Sequence, residues 1–130
     1  MSTLKVDTIQ NTSDAHSSTP AEIAHGRAKA WVEFNGTGSH SIIASYNVSS
    51  VSRTSNGNYT VNFTSNFANT NYAVFATSGA NIATYDDSLD SVDNIAIVLN
   101  KAAGNVKIGT GDLDNGDNDD QDRTSVVVFA

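Results

Sequence analysis

The side chains best suited to chemistry in this 130-residue chain are concentrated in the run 112–122, DLDNGDNDDQD. Hard cations such as Ca²⁺ take several carboxylate and carbonyl oxygens, and an Asp-rich, glycine-containing loop supplies both. Asp112, Asp114, Asp117 and Asp119 are the candidate ligands. Their spacing is not that of an ordered site. Gly116 is fifth from Asp112 rather than sixth, and no Glu closes a twelve-residue loop, so the EF-hand pattern fails. The expectation is no cofactor and at most weak Ca²⁺ binding, on a hydrated hairpin tip between a strand ending near Gly109 and one beginning near Thr124.

Other constellations fail on charge or geometry. Gly111 and Gly116 have phosphate-loop spacing, but Asp117 stands where the lysine belongs, and the surrounding carboxylates repel phosphate. His16, His25 and His40 are the three histidines, and no Gly-x-Ser-x-Gly nucleophile turn accompanies them. His16 and His25 lie in a polar, low-complexity stretch, where nothing rigid would hold a catalytic base, and His40 adjoins a turn. A non-enzymatic protein is expected.

Composition narrows the partners. The formal net charge is −7, and the seven Lys and Arg residues are scattered, whereas a phosphate backbone demands a clustered basic footprint. Ten of the fourteen acidic residues fall within 86–122, so the charge is regional. Nucleic-acid binding is disfavoured. No apolar run reaches membrane-spanning length, and the N-terminal segment has no unbroken apolar stretch of the secretory type, so a soluble protein without membrane insertion is expected. Cysteine is absent, which leaves packing, sheet pairing or assembly to stabilise the fold.

The elements that must position these groups read as strands. Residues 1–27 cannot build a core, because Leu4, Val6 and Ile9 are the sizeable apolar residues before Ile23. Leu4 and Val6 alternate with Lys5 and Asp7, so 3–9 can add to an acceptor edge and serve as an anchoring arm. Thr19, Pro20 and Glu22 have a capping-box arrangement compatible with one or two helical turns, with Gly26 at the position of a left-handed cap; an extended linker into the first clear strand is the alternative. From 28 onward a period of two prevails: Tyr59, Val61 and Phe63 share one face, and Thr60 and Asn62 the other. Turn clusters at 35–38 and at Asn56-Gly57 predict two hairpins. Further strands are expected at 71–78 (buried on both faces), 94–100 (Ile95, Ile97 and Leu99 in register), 105–109, and 124–129, the last central or covered by a neighbouring subunit. The fold class is all-β, an antiparallel β-sandwich or jelly-roll-like domain over 28–130 with an extended N-terminal arm over 1–27.

Three sequence segments resemble a known β-domain. They are KAWVEFNGTG at 29–38, SYNVSS at 45–50 and NYTVNFT at 58–64, followed by NYAV at 71–74. They are similar to a domain of fibre-like and other virion proteins of tailed bacterial viruses, especially marine ones. The opening TLKVDTIQNT at 3–12 resembles the N-terminal segment of the same proteins. The resemblance implies a virion location and a non-enzymatic role as a tail or head fibre, spike or capsid decoration unit. It further implies docking on other virion proteins of head or tail, through Leu4, Val6 and Ile9, and homotrimerisation. Host-surface adhesion, for instance to a glycan, fits such a role. The alternative is a carbohydrate-binding β-sandwich module, whose loops would offer polar groups and exposed aromatics to sugars. Strand parity predicts Trp31 and Tyr59 in the core, leaving Tyr85 as the exposed stacking candidate.

Overall fold

The computed structural model describes residues 2–3, 5–10, 17–79, 94–112 and 117–130. Its elements are β1 (Ile9–Gln10), β2 (Ser17–Ser18), α1 (Pro20–Gly26), β3 (Ala30–Asn35), β4 (Ser41–Tyr46), β5 (Val48–Ser55), β6 (Asn58–Phe63), β7 (Ala73–Gly79), β8 (Asn94–Ala102), β9 (Asn105–Asp112) and β10 (Arg123–Phe129). Eight of the strands form two four-stranded antiparallel sheets, ordered β4-β3-β10-β7 and β5-β6-β9-β8. The fold is thus an all-β sandwich.

The core lies between the inner faces of the four central strands. Ala30, Val32 and Phe34 of β3 and Val126 and Val128 of β10 face Tyr59, Val61 and Phe63 of β6 and Val106 and Ile108 of β9. Each set alternates with outward residues, as the period of two requires. β10 sits centrally, between β3 and β7, so neither of its edges is free; Thr124, Val126 and Val128 are buried on its inner face, and Ser125, Val127 and Phe129 are half-buried on the outer one.

The chain changes sheet at Asn47, between β4 and β5. Asn47 has φ 54°, a left-handed conformation that Asn tolerates better than most residues. Its side chain fixes the crossing: Nδ2 donates to Lys29 O at 3.1 Å, and Oδ1 accepts from Ser65 N at 2.8 Å. At the same end an aromatic cluster closes the sandwich, with Phe63 and Phe67 ring centroids 4.7 Å apart and Phe67 and Tyr72 4.9 Å apart. The Tyr72 hydroxyl donates to Ala102 O and Asn105 O at 2.9 and 3.0 Å, pinning the β8–β9 turn. Burial pushes its phenol pKa upward.

Several expectations are corrected. Trp31 is not in the core: the buried face of β3 belongs to Ala30, Val32 and Phe34, which leaves Trp31 on the outer face at 38% exposure. β7 is a sheet edge and is covered on one side only, with Phe75 63% exposed. In β8, Ile97 and Leu99 lie outside over Gly109, because the register pairs Ile97 with Gly109, whose absent side chain makes room. Gly26 is not a left-handed cap; it belongs to α1, and extended Arg27 ends the helix. β9 and β10 do not form a hairpin, for they belong to different sheets, and 117–122 is a crossover between them.

The short helix forms, not the extended linker. Glu22 N donates to Thr19 Oγ1 at 3.2 Å while Thr19 N donates to Glu22 Oε2 at 2.7 Å. That backbone bond, with one from the Thr19 hydroxyl, holds the Glu22 carboxyl below its ordinary pKa. Among the described residues, no helix is long and apolar enough to cross a membrane.

Candidate functional site

The acidic run is where the sequence concentrates chemistry, and the fold uses its described part as a strap. Starting from β6, the Asn56-Gly57 turn brings Arg53 of β5 opposite Tyr59. Tyr59 is buried, whereas Arg53 stays exposed on the edge strand β5, at the end of the sandwich where 117–122 crosses. Asp120, on the crossing segment, pairs with it.

Asp120 accepts from every side. Arg53 Nε lies 2.9 Å from Oδ1 and 2.7 Å from Oδ2, and the guanidinium also pairs through Nη2 at 2.6 Å. Gly57 N donates to Oδ1 at 2.8 Å, and the Tyr59 hydroxyl donates to the same oxygen in a short hydrogen bond. Burial opposes ionisation of this carboxyl, but the bonds from Arg53, then Tyr59 and Gly57, overcome it and bring its pKa down to about 2. For Tyr59, burial raises the phenol pKa, and the adjacent ionised Asp120 raises it further. Charge-assisted bonds of this kind are the strong ones, so the arrangement fixes a loop in place.

The neighbours of Asp120 are tied as closely. Asn118 pairs with Gly111 in an isolated bridge and accepts from Asn56 Nδ2 at 2.7 Å. Thr110 Oγ1 donates to Asp119 O at 2.6 Å, and Asp119 N donates to Thr110 O at 3.1 Å. Gly36 N donates to Gln121 O at 2.8 Å. Thr37 Oγ1 donates to Asp122 Oδ1 at 2.8 Å. The strap thus touches the β3–β4 turn, the β5–β6 turn and β9, stitching both sheets at one end. Gly36 is obligatory by close approach: a Cβ there would lie 2.3 Å from the Tyr59 hydroxyl.

The expected ligand set is not assembled as a centre. Asp117 and Asp119 are exposed on the strap, Asp112 ends β9, and Asp114 lies outside the described residues. Among the described residues, no cluster of three or more His, Asp or Glu side chains is disposed to hold a metal ion. Asp86, Asp87, Asp90, Asp93 and the stacking candidate Tyr85 also lie outside the described residues. The residue that matters most, Asp120, was not among the candidates, since its type cannot be told from its neighbours'. The hairpin register across Asn56-Gly57 sets Arg53 opposite Tyr59, but it carries no signal that singles out Asp120.

The arm is the other candidate. β1 pairs antiparallel with β2, joining Ile9 to Ser18 and Gln10 to Ser17. Val6 and Ile9 are exposed, Ile9 at 54%, and with Pro20 and Ile23 they border an open cleft of about 590 Å³ rimmed by Lys5 and Arg27. Leu4 lies outside the described residues. No protein-family model, no curated protein and no solved structure matches the chain.

Proposed function

We propose that the chain is a non-enzymatic structural protein of a bacterial-virus particle. In this role, the N-terminal arm docks on other virion proteins while the β-sandwich is displayed as a fibre, spike or decoration unit. One observation carries the reading: the apolar residues of the arm, Val6 and Ile9, are exposed to solvent beside an open cleft. Exposed apolar side chains grouped on a terminal extension are suited to burial in a larger assembly, by strand addition or by packing into a groove. The resemblance of 3–12 and 28–77 to virion proteins supports the location. The strapped end supports the display role, because a loop lashed to both sheets keeps its shape under load.

The experiment is incorporation. Replacement of Leu4, Val6 and Ile9 with Ser should leave the far-ultraviolet circular dichroism of a β-protein intact. It should also remove the protein from purified particles, as read by immunoblot. Normal incorporation of the triple variant refutes the anchoring role.

A second reading, a carbohydrate-binding module, gains one observation. Trp31 and Tyr46 are register partners on the outer sheet surface, 38% and 58% exposed, so both rings are accessible to a sugar. Titration of Trp31 fluorescence with soluble oligosaccharides tests it.

A further inference from the structure

Asn-Gly is the dipeptide most prone to spontaneous deamidation, because glycine carries no side chain to shield its nitrogen. In that reaction the glycine nitrogen attacks Cγ of the asparagine. The N–Cγ bond forms, the Cγ–Nδ2 bond breaks, and ammonia leaves with the proton of the glycine amide. Water then opens the cyclic imide to aspartate or isoaspartate. The chain holds three such pairs, Asn35-Gly36, Asn56-Gly57 and Asn115-Gly116, the last outside the described residues.

Both described pairs meet the strap. Gly36 N donates to Gln121 O at 2.8 Å, and Gly57 N donates to Asp120 Oδ1 at 2.8 Å. Two consecutive residues of one segment thus hold both attacking nitrogens, on turns that belong to different sheets. The two glycines are buried, whereas Asn35 is half-buried and Asn56 exposed. Water therefore reaches the side chains, and what is withheld from the reaction is the nitrogen.

We propose that the strap is a chemical guard for these two peptides, and that Asn56 is a latent deamidation site which becomes reactive when Asp120 lets go of Gly57. Cyclisation needs Cγ and the glycine nitrogen in an aligned close approach. Asn56 Nδ2 is tied to Asn118 O at 2.7 Å and Oδ1 to Arg53 Nη2 at 3.1 Å, while Asn35 Oδ1 accepts from both Thr37 N and Thr37 Oγ1 at 2.8 Å. Turning either side chain onto its nitrogen breaks these bonds. The glycines are also held from behind, since Gly57 O accepts from Thr110 N at 2.7 Å and Gly36 O from the Tyr59 hydroxyl at 3.2 Å. Asp120 does not promote the attack by taking the amide proton. Despite its burial, the bonds from Arg53, Tyr59 and Gly57 bring its pKa down to about 2, which makes it too weak a base.

Conversion at Asn56 is one-way. Aspartate has no N–H to offer Asn118 O, and isoaspartate adds a methylene to the backbone of the turn between β5 and β6. Either product removes a tie between that turn and the strap, so the guard does not close again as before.

The test follows deamidation of the full chain at mildly alkaline pH by site-resolved mass spectrometry, with the chain unfolded in concentrated urea as the unguarded reference. Asn35 and Asn56 should persist in the folded protein and convert in the reference. Asp120→Ala frees the Gly57 nitrogen and should speed conversion of Asn56 by about tenfold or more, because local opening is then no longer needed. Asp120→Ser, which also shortens the side chain, replaces it if the Ala variant lacks β-type dichroism. Wild type in the urea concentration that lowers its stability to that of the variant is the control, and its Asn56 should stay about tenfold slower. Hydrogen exchange of the Asp119 amide, which donates to Thr110 O, should quicken in Asn56→Asp. Equal Asn56 rates at matched stability would give the protection to global folding and overturn the guard. So would conversion of Asn35 and Asn56 in the folded wild type as fast as in the reference. Unchanged exchange in Asn56→Asp would overturn the one-way release.

Discussion

The amide of Gly57 donates to Asp120 Oδ1 across 2.8 Å, joining the β5–β6 turn to a residue 63 positions later in the chain. The same oxygen receives Arg53 Nε and the Tyr59 hydroxyl, so one carboxylate organises a turn, a strand and a core aromatic. Removing it strands donors that water reaches poorly. Asp120→Ala should cost about 2–4 kcal/mol, because Gly57 N–H and Tyr59 O–H both lose an acceptor. Chemical denaturation of the two proteins measures it.

The same carboxylate sets an acid dependence. Its pKa is about 2 when folded, against about 3.9 for an unperturbed Asp. A depressed folded pKa contributes stability that is complete above the unfolded value and is lost as pH falls through the folded one. The difference in urea midpoint between wild type and Asp120→Asn should therefore be constant near neutrality and close between about pH 4 and pH 2. A gap that ignores pH would assign the stabilisation to shape rather than charge.

Gly57 and Gly38 offer a matched pair. Both have positive φ, at +63° and +58°, but a Cβ on Gly57 would lie 2.3 Å from Thr110 O and 2.6 Å from Asp119 N, whereas Gly38 faces open space. Gly38→Ala should cost about 1 kcal/mol for backbone strain alone. Gly57→Ala adds a clash with backbone that cannot swing away, and about 2–4 kcal/mol is expected. Equal melting temperatures for the two variants would show that the strap yields.

Phe63 packs against Phe67 at 4.7 Å and Tyr72 at 6.0 Å between ring centroids, and it is nearly fully buried. Phe63→Ala should cost about 3–5 kcal/mol as a cavity opens in that cluster. An unchanged denaturation midpoint would contradict the packing.

Thr124 and Ser78 are register partners whose hydroxyl oxygens are buried without a hydrogen-bond partner among the described residues. A buried hydroxyl with no acceptor is a liability, and Val has nearly the same shape. Thr124→Val should be neutral or raise stability by about 1 kcal/mol. A loss of stability would reveal a partner for the hydroxyl.

Much of the fold was legible in the amino-acid order. The alternation of Tyr59, Val61 and Phe63, the turn at Asn56-Gly57, and the capping pair Thr19 and Glu22 are local patterns. A period of two, a positive-φ glycine and a reciprocal hydrogen bond each require only neighbours in sequence, so β6, the β5–β6 hairpin and α1 form where those patterns lie. What required the tertiary structure was everything decided by which strand lies beside which. Trp31 and Phe75 are outside because β3 and β7 each turn one face to the core. Asp120 differs from the other aspartates of its run only in standing where Arg53, Gly57 and Tyr59 converge. That convergence joins one hairpin to a connecting segment more than sixty residues later in the chain, a distance over which sequence pattern carries no register.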